Sequence, residues 1–162
     1  MWVDMNLEEY LFFEQRMKEL LALPKIQKLN RYIQHGDVTC LEHSVYVAYS
    51  SYYLCRYFKL KVDYDSLIRG ALLHDYFLYD WHEKSDTHRL HGFHHPFTAY
   101  RNAARVFKLN RIERDIIRNH MWPLTILHIP KTREGIAVCI ADKLCSAMET
   151  IHRPVFIPEF MN

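Results

Sequence analysis

The sequence predicts an all-α protein, a compact single-domain bundle of about six to seven helices that takes in residues 1–162. Two features of the apolar pattern predict helices, and the composition and length predict a globular domain. Apolar residues recur at helical spacing in almost every segment, and no segment shows the alternation that is typical of a strand. The composition, with 49% hydrophobic and 25% charged residues, is that of an ordinary globular protein. A chain of 162 residues is also long enough to bury one well-formed core.

Two helices are predicted at the beginning of the chain. Residues 6–23 open with the capping-box pair Asn6 and Glu9. Their apolar face consists of Leu7, Tyr10, Phe13, Met17, Leu20 and Leu21. A short helix over about 25–33 follows, and the composition of residues 34–37 predicts a turn.

The two middle helices are predicted to be the most buried, because each is apolar or neutral around most of its circumference. Residues 40–58 carry the stripe Leu41, Val45, Ala48, Tyr52 and Cys55. Residues 64–79 follow the cap Asp63 and contribute Leu67, Ile68, Ala71, Leu72, Leu73, Tyr76 and Phe77. Residues 80–94 are charged and rich in histidine, which predicts a loop.

Three further helices are predicted in the C-terminal half. Pro96 is suited to a first helical position and starts a helix that runs to about residue 107. Residues 110–121 form another, with Ile112, Ile116 and Ile117 inward. Thr132 caps a last long helix, whose apolar residues in register are Ile136, Ile140, Leu144, Ala147 and Ile151. Residues 152–162 are predicted to be an irregular tail.

Net charge, apolar runs and cysteine spacing indicate which partners and which cellular compartment to expect. The net charge of +2 is too small to favour a nucleic-acid or membrane partner, whereas a homodimer is compatible with the sequence. The N-terminus has no signal-peptide pattern and no apolar run reaches membrane-spanning length, so a cytoplasmic protein is expected. The four cysteines lack CxxC spacing and are predicted to be buried reduced thiols.

Ionisable residues interrupt four of the apolar helical segments. They are His43, the adjacent pair His74 and Asp75, His120, and Asp142. Taken singly, a buried histidine is more often a hydrogen-bonded core residue, and a buried aspartate often pairs with an arginine such as Arg69 or Arg118. Four helices that each bring such a group favour a shared divalent cation instead, because imidazole and carboxylate suit zinc, iron, manganese and similar ions.

The order of these residues resembles the HD superfamily of metal-dependent phosphohydrolases. Its anchors here are Leu41-Glu42-His43-Ser44-Val45, Leu73-His74-Asp75, His94-His95-Pro96, Arg118-Asn119-His120 and Ile140-Ala141-Asp142-Lys143. The resemblance covers residues 35–150, with the N-terminal helices of residues 1–33 outside it, and implies a helical bundle of the HD-domain type.

The resemblance also implies a ligand set for one or two divalent ions, which could be Fe, Mn, Zn, Co or Ni. The first ion would be bound by His43, His74, Asp75 and Asp142. His95 and His120 match the ligands of a second ion, and Asp75 would bridge the two. His91 and His94 are the rivals of His95, which is preferred for its junction with Pro96.

The function that the resemblance implies is hydrolysis of a phosphoester of a small molecule, such as a nucleotide or another phosphorylated metabolite, by a metal-activated hydroxide. Asp75 and His74 are the expected catalytic residues. Candidate substrate-binding residues, for which a solvated surface role is an equal alternative, are His35, Lys84, His91, His94, Arg101, Arg105 and Lys143.

Two other functions are weighed against this one. A diiron oxygenase of the HD type is compatible with the ligand set, although a hydrolase is the commoner expectation. A non-catalytic module that binds a nucleotide predicts degenerate ligand positions, and none of the expected anchors is missing here. The chain has Tyr76-Phe77 after the His-Asp pair and Met121-Trp122-Pro123-Leu124 after His120. These segments lack the signature of the branch that cleaves cyclic dinucleotides, which argues against such a substrate.

Overall fold

A computed structural model of the protein describes residues 5–80 and 91–151. Its α-helices are α1 (Leu7–Leu21), α2 (Pro24–Gln27), α3 (Cys40–Tyr57), α4 (Tyr64–Leu73), α5 (His91–Val106), α6 (Arg111–Asn119) and α7 (Arg133–Thr150). Two short strands, β1 (Ile33–His35) and β2 (Val38–Thr39), form one antiparallel pair. The predicted all-α class is confirmed.

Helix starts are fixed by side-chain caps. Among the helix starts that the structure describes, three have complete capping boxes, in which the cap side chain and the third helical residue satisfy each other's backbone N–H groups. These pairs are Asn6 with Glu9, Thr39 with Glu42, and Asn110 with Glu113. The predicted caps Asp63 and Thr132 are also confirmed, since each accepts a hydrogen bond from a backbone N–H of its helix.

Helix α3 lies at the centre of the fold. It packs against α4 on one side and α7 on another, and α6 closes the group by packing on both α4 and α7. The predicted stripe on α3 is fully confirmed as core: Leu41, Val45, Ala48, Tyr52 and Cys55 are all buried. The four helices α3, α4, α6 and α7 therefore present their inner faces to one another.

The segment before α3 differs from its prediction. Instead of one helix over about 25–33, α2 is followed by a single 3₁₀ turn over Lys28–Arg31 and then by the hairpin of β1 and β2. Gly36 makes the hairpin turn with a φ of 56°, a conformation that glycine adopts without strain. The hairpin directs the Gln34 side chain into the core, where it is buried.

Two helix ends also differ from their predictions. Helix α4 ends at Leu73 rather than near residue 79, because the backbone tightens into turns at His74 and beyond. Helix α5 begins at His91, so Pro96 lies inside the helix rather than at its start. Near a helix end the missing proline N–H costs only one hydrogen bond of the ladder, and the helix continues past it.

The apolar stripe predicted for α7 is exposed. Its large members are between 48% and 62% accessible, namely Ile136, Ile140, Leu144 and Ile151. The buried face consists of small and acidic residues instead: Ala137, Val138, Ala141, Asp142, Cys145 and Glu149. The small side chains on this face let α7 pack against α3. This packing turns the carboxylates of Asp142 and Glu149 inward and the large aliphatic side chains of the predicted stripe outward. Leu7, which was predicted to lie on the apolar face of α1, is exposed as well.

The four cysteines are buried and free, as predicted. Within residues 5–80 and 91–151, none of the helices combines the length and the apolar character that a bilayer crossing requires.

Candidate metal centre

Six ionisable side chains meet between the helices. They come from the first turn of α3, the end of α4, the second turn of α5, the end of α6 and the middle of α7. All are between 0% and 6% accessible: His43, His74, Asp75, His95, His120 and Asp142. The structure thus brings together the six residues that the resemblance implies as metal ligands.

The end of α4 explains how adjacent residues can point to the same place. In a regular α-helix, neighbouring side chains diverge by about 100° around the axis. Here the N–H of His74 bonds the Ala71 carbonyl three residues back, and the N–H of Phe77 bonds the Asp75 carbonyl two residues back. These tighter turns end the helix and aim the side chains of both His74 and Asp75 inward.

Three of the histidines are anchored through Nδ1. The nearby acceptors are a Glu149 carboxylate oxygen at 2.9 Å for His43, the Ala71 carbonyl at 2.6 Å for His74, and the Ile117 carbonyl at 2.9 Å for His120. A carbonyl or carboxylate oxygen only accepts, so each Nδ1 must carry a proton. In the neutral form of each ring, the Nε2 lone pair therefore faces the centre of the cluster.

The Asp75 carboxylate lies between two groups of imidazoles. Its Oδ2 is 3.3 Å from His74 Nε2 and 3.8 Å from His43 Nε2. Its Oδ1 is 3.1 Å from His95 Nε2 and 3.5 Å from His120 Nε2. Each carboxylate oxygen thus faces its own pair of nitrogens, which is the arrangement a bridging ligand needs.

Asp142 completes the first of these groups. Its Oδ1 lies 3.3 Å from His43 Nε2 and 3.7 Å from His74 Nε2. The ligand atoms of His43, His74 and Asp142 all lie within 4.8 Å of one another, and so do those of His74, Asp75 and His120. Two overlapping sets of three donors are therefore present, with His74 common to both.

The donor atoms fit a divalent cation. His74 Nε2 and Asp75 Oδ1 are buried without a hydrogen-bond partner, a state that is costly unless another group satisfies them. His95 Nε2 and His120 Nε2 are only 2.8 Å apart, so a proton or a cation is needed between them. Nitrogen and carboxylate donors bind zinc and related ions at about 2.0–2.2 Å, which these closely spaced groups can reach with small shifts.

At each of these groups, burial and the attraction between carboxylates and imidazoles have opposite effects on the pKa. Burial alone would raise the pKa of both Asp75 and Asp142, but the surrounding histidines hold each carboxyl well below its usual range. Burial would likewise lower the pKa of His43, yet its hydrogen bonds to Asp142 and Glu149 raise that pKa to about 9. The pKa of His74 is raised well above its usual value by the same two aspartates that face it.

His120 behaves differently from these two histidines. Burial lowers its pKa to about 4 despite the opposing influence of Asp75, and the nearby His74 and His95 lower it further. The ring is therefore neutral at physiological pH and its Nε2 lone pair is available to a cation. A cation that enters the cluster would displace protons from His43 and His74, as metal binding to histidines generally does.

The alternative of arginine pairing is not what the structure shows. Arg69 pairs with Glu113 at 3.1 Å, and the Arg118 guanidinium stacks over the Tyr100 ring at 5.3 Å. Among the described lysines and arginines, the one nearest to either aspartate of the cluster is Lys143, whose Nζ is 3.7 Å from Asp142 Oδ2.

A cavity of about 570 Å³ opens onto the cluster. Its walls include Gln34, His35, Gly92, Met121, Pro123, Leu124, Lys143 and Ser146, with Asp75, His95 and Asp142 at its base. Of the candidate substrate-binding residues, His35 and Lys143 line this cavity. Arg101, Arg105 and His94 are exposed on α5 and do not line it. Lys84 and the side chain of His91 lie outside the described part of the chain.

Sequence reasoning missed two buried residues that touch the cluster. Gln34 donates a hydrogen bond from Nε2 to Asp75 Oδ2 at 2.7 Å, and its Oε1 accepts one from the Cys40 thiol at 3.3 Å. Glu149 accepts from His43. Glu149 follows Asp142 by seven residues, or two helical turns, and this spacing is the signal that could have placed both carboxylates on one face.

Comparison with known proteins agrees with the geometry. The family model of the HD domain matches residues 40–147, which is more than half of the chain and includes all six residues of the cluster. No curated protein and no solved structure gives a significant match. The match and the ordered histidine and aspartate anchors together show that this chain belongs to the HD-domain family.

Proposed function

We propose that the chain is a metal-dependent phosphohydrolase that cleaves a phosphoester of a small molecule, such as a nucleotide or another phosphorylated metabolite. HD domains are in general metal-dependent hydrolases. The observation that carries the proposal is the position of Asp75, whose two carboxylate oxygens face separate pairs of imidazoles at the base of a cavity.

Bound divalent ions would supply Lewis acidity, which lowers the pKa of water and neutralises charge on a phosphoryl group. His43, His74 and Asp142 would hold one ion, His95 and His120 would hold a second, and Asp75 would contact both. Asp75 and His74 belong to more than one donor group, so we assign them the catalytic role of setting the position of one ion relative to the other.

The cavity walls suggest how a substrate would lie. A volume of about 570 Å³ is in the range that small-molecule sites occupy. Met121, Pro123 and Leu124 form an apolar wall suited to the organic part of a substrate. Lys143 lines the same cavity beside Asp142, where its charge would attract a phosphate oxygen.

The experiment is a screen of phosphorylated metabolites with protein loaded with Mn²⁺, Fe²⁺, Co²⁺, Ni²⁺ or Zn²⁺. We expect release of phosphate or of a phosphorylated product from at least one compound. Asp75→Ala should abolish this activity together with stoichiometric metal binding. Tyr76→Phe, a change at the adjacent buried residue, is the matched control and should remain active.

Three outcomes separate the hypotheses. Turnover by a zinc or manganese form excludes the diiron oxygenase, which requires redox-active iron. Metal binding without turnover of any phosphoester would favour the non-catalytic module and contradict the proposal. Full activity of Asp75→Ala would show that the bridging role is assigned to the wrong residue.

A further inference from the structure

We propose that Glu149 is a positioning residue of this centre, which holds His43 in the orientation and tautomer that present Nε2 to a metal ion. The inference rests on the proposed metal site, which it deepens by adding a residue that does not itself touch the ion.

The contact between the two side chains is close and fully enclosed. Glu149 Oε2 and Oε1 lie 2.9 and 3.0 Å from His43 Nδ1, so the N–H group points at both carboxylate oxygens. Glu149 is 5% accessible and His43 is 0% accessible. Water therefore competes little for this hydrogen bond, and the hydrogen bond to a charged carboxylate is a strong one.

The position of Glu149 excludes it from the metal-binding groups. It lies on the Nδ1 side of the imidazole, whereas Asp75 and Asp142 lie on the Nε2 side. Helix α7 thus supplies one carboxylate to each ring nitrogen of His43, from residues two turns apart on its buried face. The ring is held at both edges and cannot flip without breaking the Glu149 contact.

A buried carboxylate in this position has a chemical consequence for its partner. A metal-bound histidine commonly donates its other N–H to a carboxylate, which fixes the tautomer and raises the basicity of the coordinating nitrogen. Loss of such a partner typically weakens metal affinity about 10- to 100-fold. The same range is expected for His43, since the buried ring has its Glu149 partner at hydrogen-bond distance.

The test is a titration of metal-free protein with Co²⁺ in the absence of substrate, with the dissociation constant and the visible absorption spectrum as readouts. Glu149→Ala should weaken cobalt binding about 10- to 100-fold. Glu149→Gln should fall between this variant and the wild type, because the amide oxygen still accepts a hydrogen bond but carries no charge.

The matched control is Glu134→Gln. Glu134 lies near the other end of the same helix, is 7% accessible, and accepts a hydrogen bond from the Asp63 N–H rather than from the cluster. It should lose stability without losing cobalt affinity. If Glu149 had only a structural role, its variants would bind cobalt as tightly as Glu134→Gln does.

A second measurement needs no variant. In zinc-loaded wild-type protein, ¹⁵N NMR of the histidine rings should show that Nδ1 of His43 carries the proton and Nε2 coordinates the ion. Coordination through Nδ1, or cobalt binding by Glu149→Ala as tight as that of the wild type, would overturn the proposal.

The two proposals fail in distinguishable ways. A wild-type chain that binds no divalent ion would contradict both of them. A chain that binds ions, with weaker binding in Glu149→Ala, but hydrolyses no phosphoester would contradict the proposed function and support the role of Glu149.

Discussion

At the scale of single residues, the centre depends on what holds each donor in place. Nδ1 of three histidines is tied to a carboxylate or to a backbone carbonyl, and Asp75 Oδ2 is tied to the Gln34 amide. Such partners restrict ring and carboxylate rotation before any ion binds, so less ordering is required on binding.

Gln34 offers a direct test of this principle. Gln34→Ala removes the 2.7 Å hydrogen bond to Asp75 Oδ2 and leaves that carboxylate less restrained. We expect metal affinity to fall about tenfold, at the low end of the effect of such supporting partners. The measurement is the Mn²⁺ dissociation constant. Gln27→Ala, which removes an exposed hydrogen bond to the Leu21 carbonyl, is the control. Equal affinities of the two variants would contradict the expectation.

Lys143 is the described cation best placed to meet a phosphate. Its Nζ donates to the His120 carbonyl at 2.7 Å, and the side chain is 39% accessible where it lines the cavity. Lys143→Met should raise KM for the phosphoester about tenfold, corresponding to one lost hydrogen bond to a charged group.

The control for Lys143→Met is Arg105→Met. Arg105 is exposed on α5 and does not line the cavity, so its removal should leave KM within about twofold of the wild type. A larger effect of the arginine change than of the lysine change would mean that the substrate approaches along α5.

The site residues that could be predicted from the sequence were those that interrupt a regular apolar helical pattern. His43, the His74–Asp75 pair, His120 and Asp142 stand out because they interrupt apolar helices. Gln34 and Glu149 do not stand out, because their importance comes from the orientation of a neighbour that is distant in sequence. His43 and Glu149, for example, are 106 residues apart.

At the scale of secondary-structure elements, the close approach of α4 and α6 sets the distance between the two halves of the cluster. Gly70 on α4 faces Ile116 on α6, and a Cβ at position 70 would lie 2.5 Å from Ile116 Cδ1 and 3.3 Å from its Cβ. These two helices end in the His74–Asp75 pair and in His120, so a spacing change between them is transmitted to the centre.

Gly70→Ala should therefore destabilise the fold. Overpacking of this kind costs about 1–3 kcal/mol, which exceeds the gain of up to about 1 kcal/mol that alanine brings to a helix interior. The measurement is the free energy of unfolding by urea. Adding Ile116→Val, which removes the clashing Cδ1, should recover part of the loss. A Gly70→Ala protein that is more stable than the wild type would show that the helices can separate at no cost.

Element boundaries show where sequence patterns were sufficient and where they were not. The caps at Asn6, Asp63 and Thr132 are local signals, and the structure confirms all three. The stripe on α7 was misleading because periodicity identifies a face without saying which face is buried. The packing of α7 on α3 selects the face with small residues, and this choice depends on the partner helix.

At the scale of the whole molecule, the bundle holds a polar centre inside an apolar core. Side chains from α3, α4, α5, α6 and α7 converge there, and the hairpin adds Gln34 from the remaining side. The helical fold class and membership of the HD family followed from apolar spacing and from the order of the anchors. The hairpin and the start of α5 could not be predicted from the sequence, because a glycine turn and a proline within a helix depend on tertiary contacts. A homodimer stays a prediction.

The most direct test of the central claim is a crystal structure of manganese-loaded protein with anomalous diffraction data. We expect an anomalous peak within coordination distance of His43 Nε2, His74 Nε2 and Asp142 Oδ1, with an Asp75 carboxylate oxygen beside it. A second ion would lie between Asp75 Oδ1 and the imidazoles of His95 and His120. Protein that is catalytically active but shows no anomalous density among these six side chains would contradict the account.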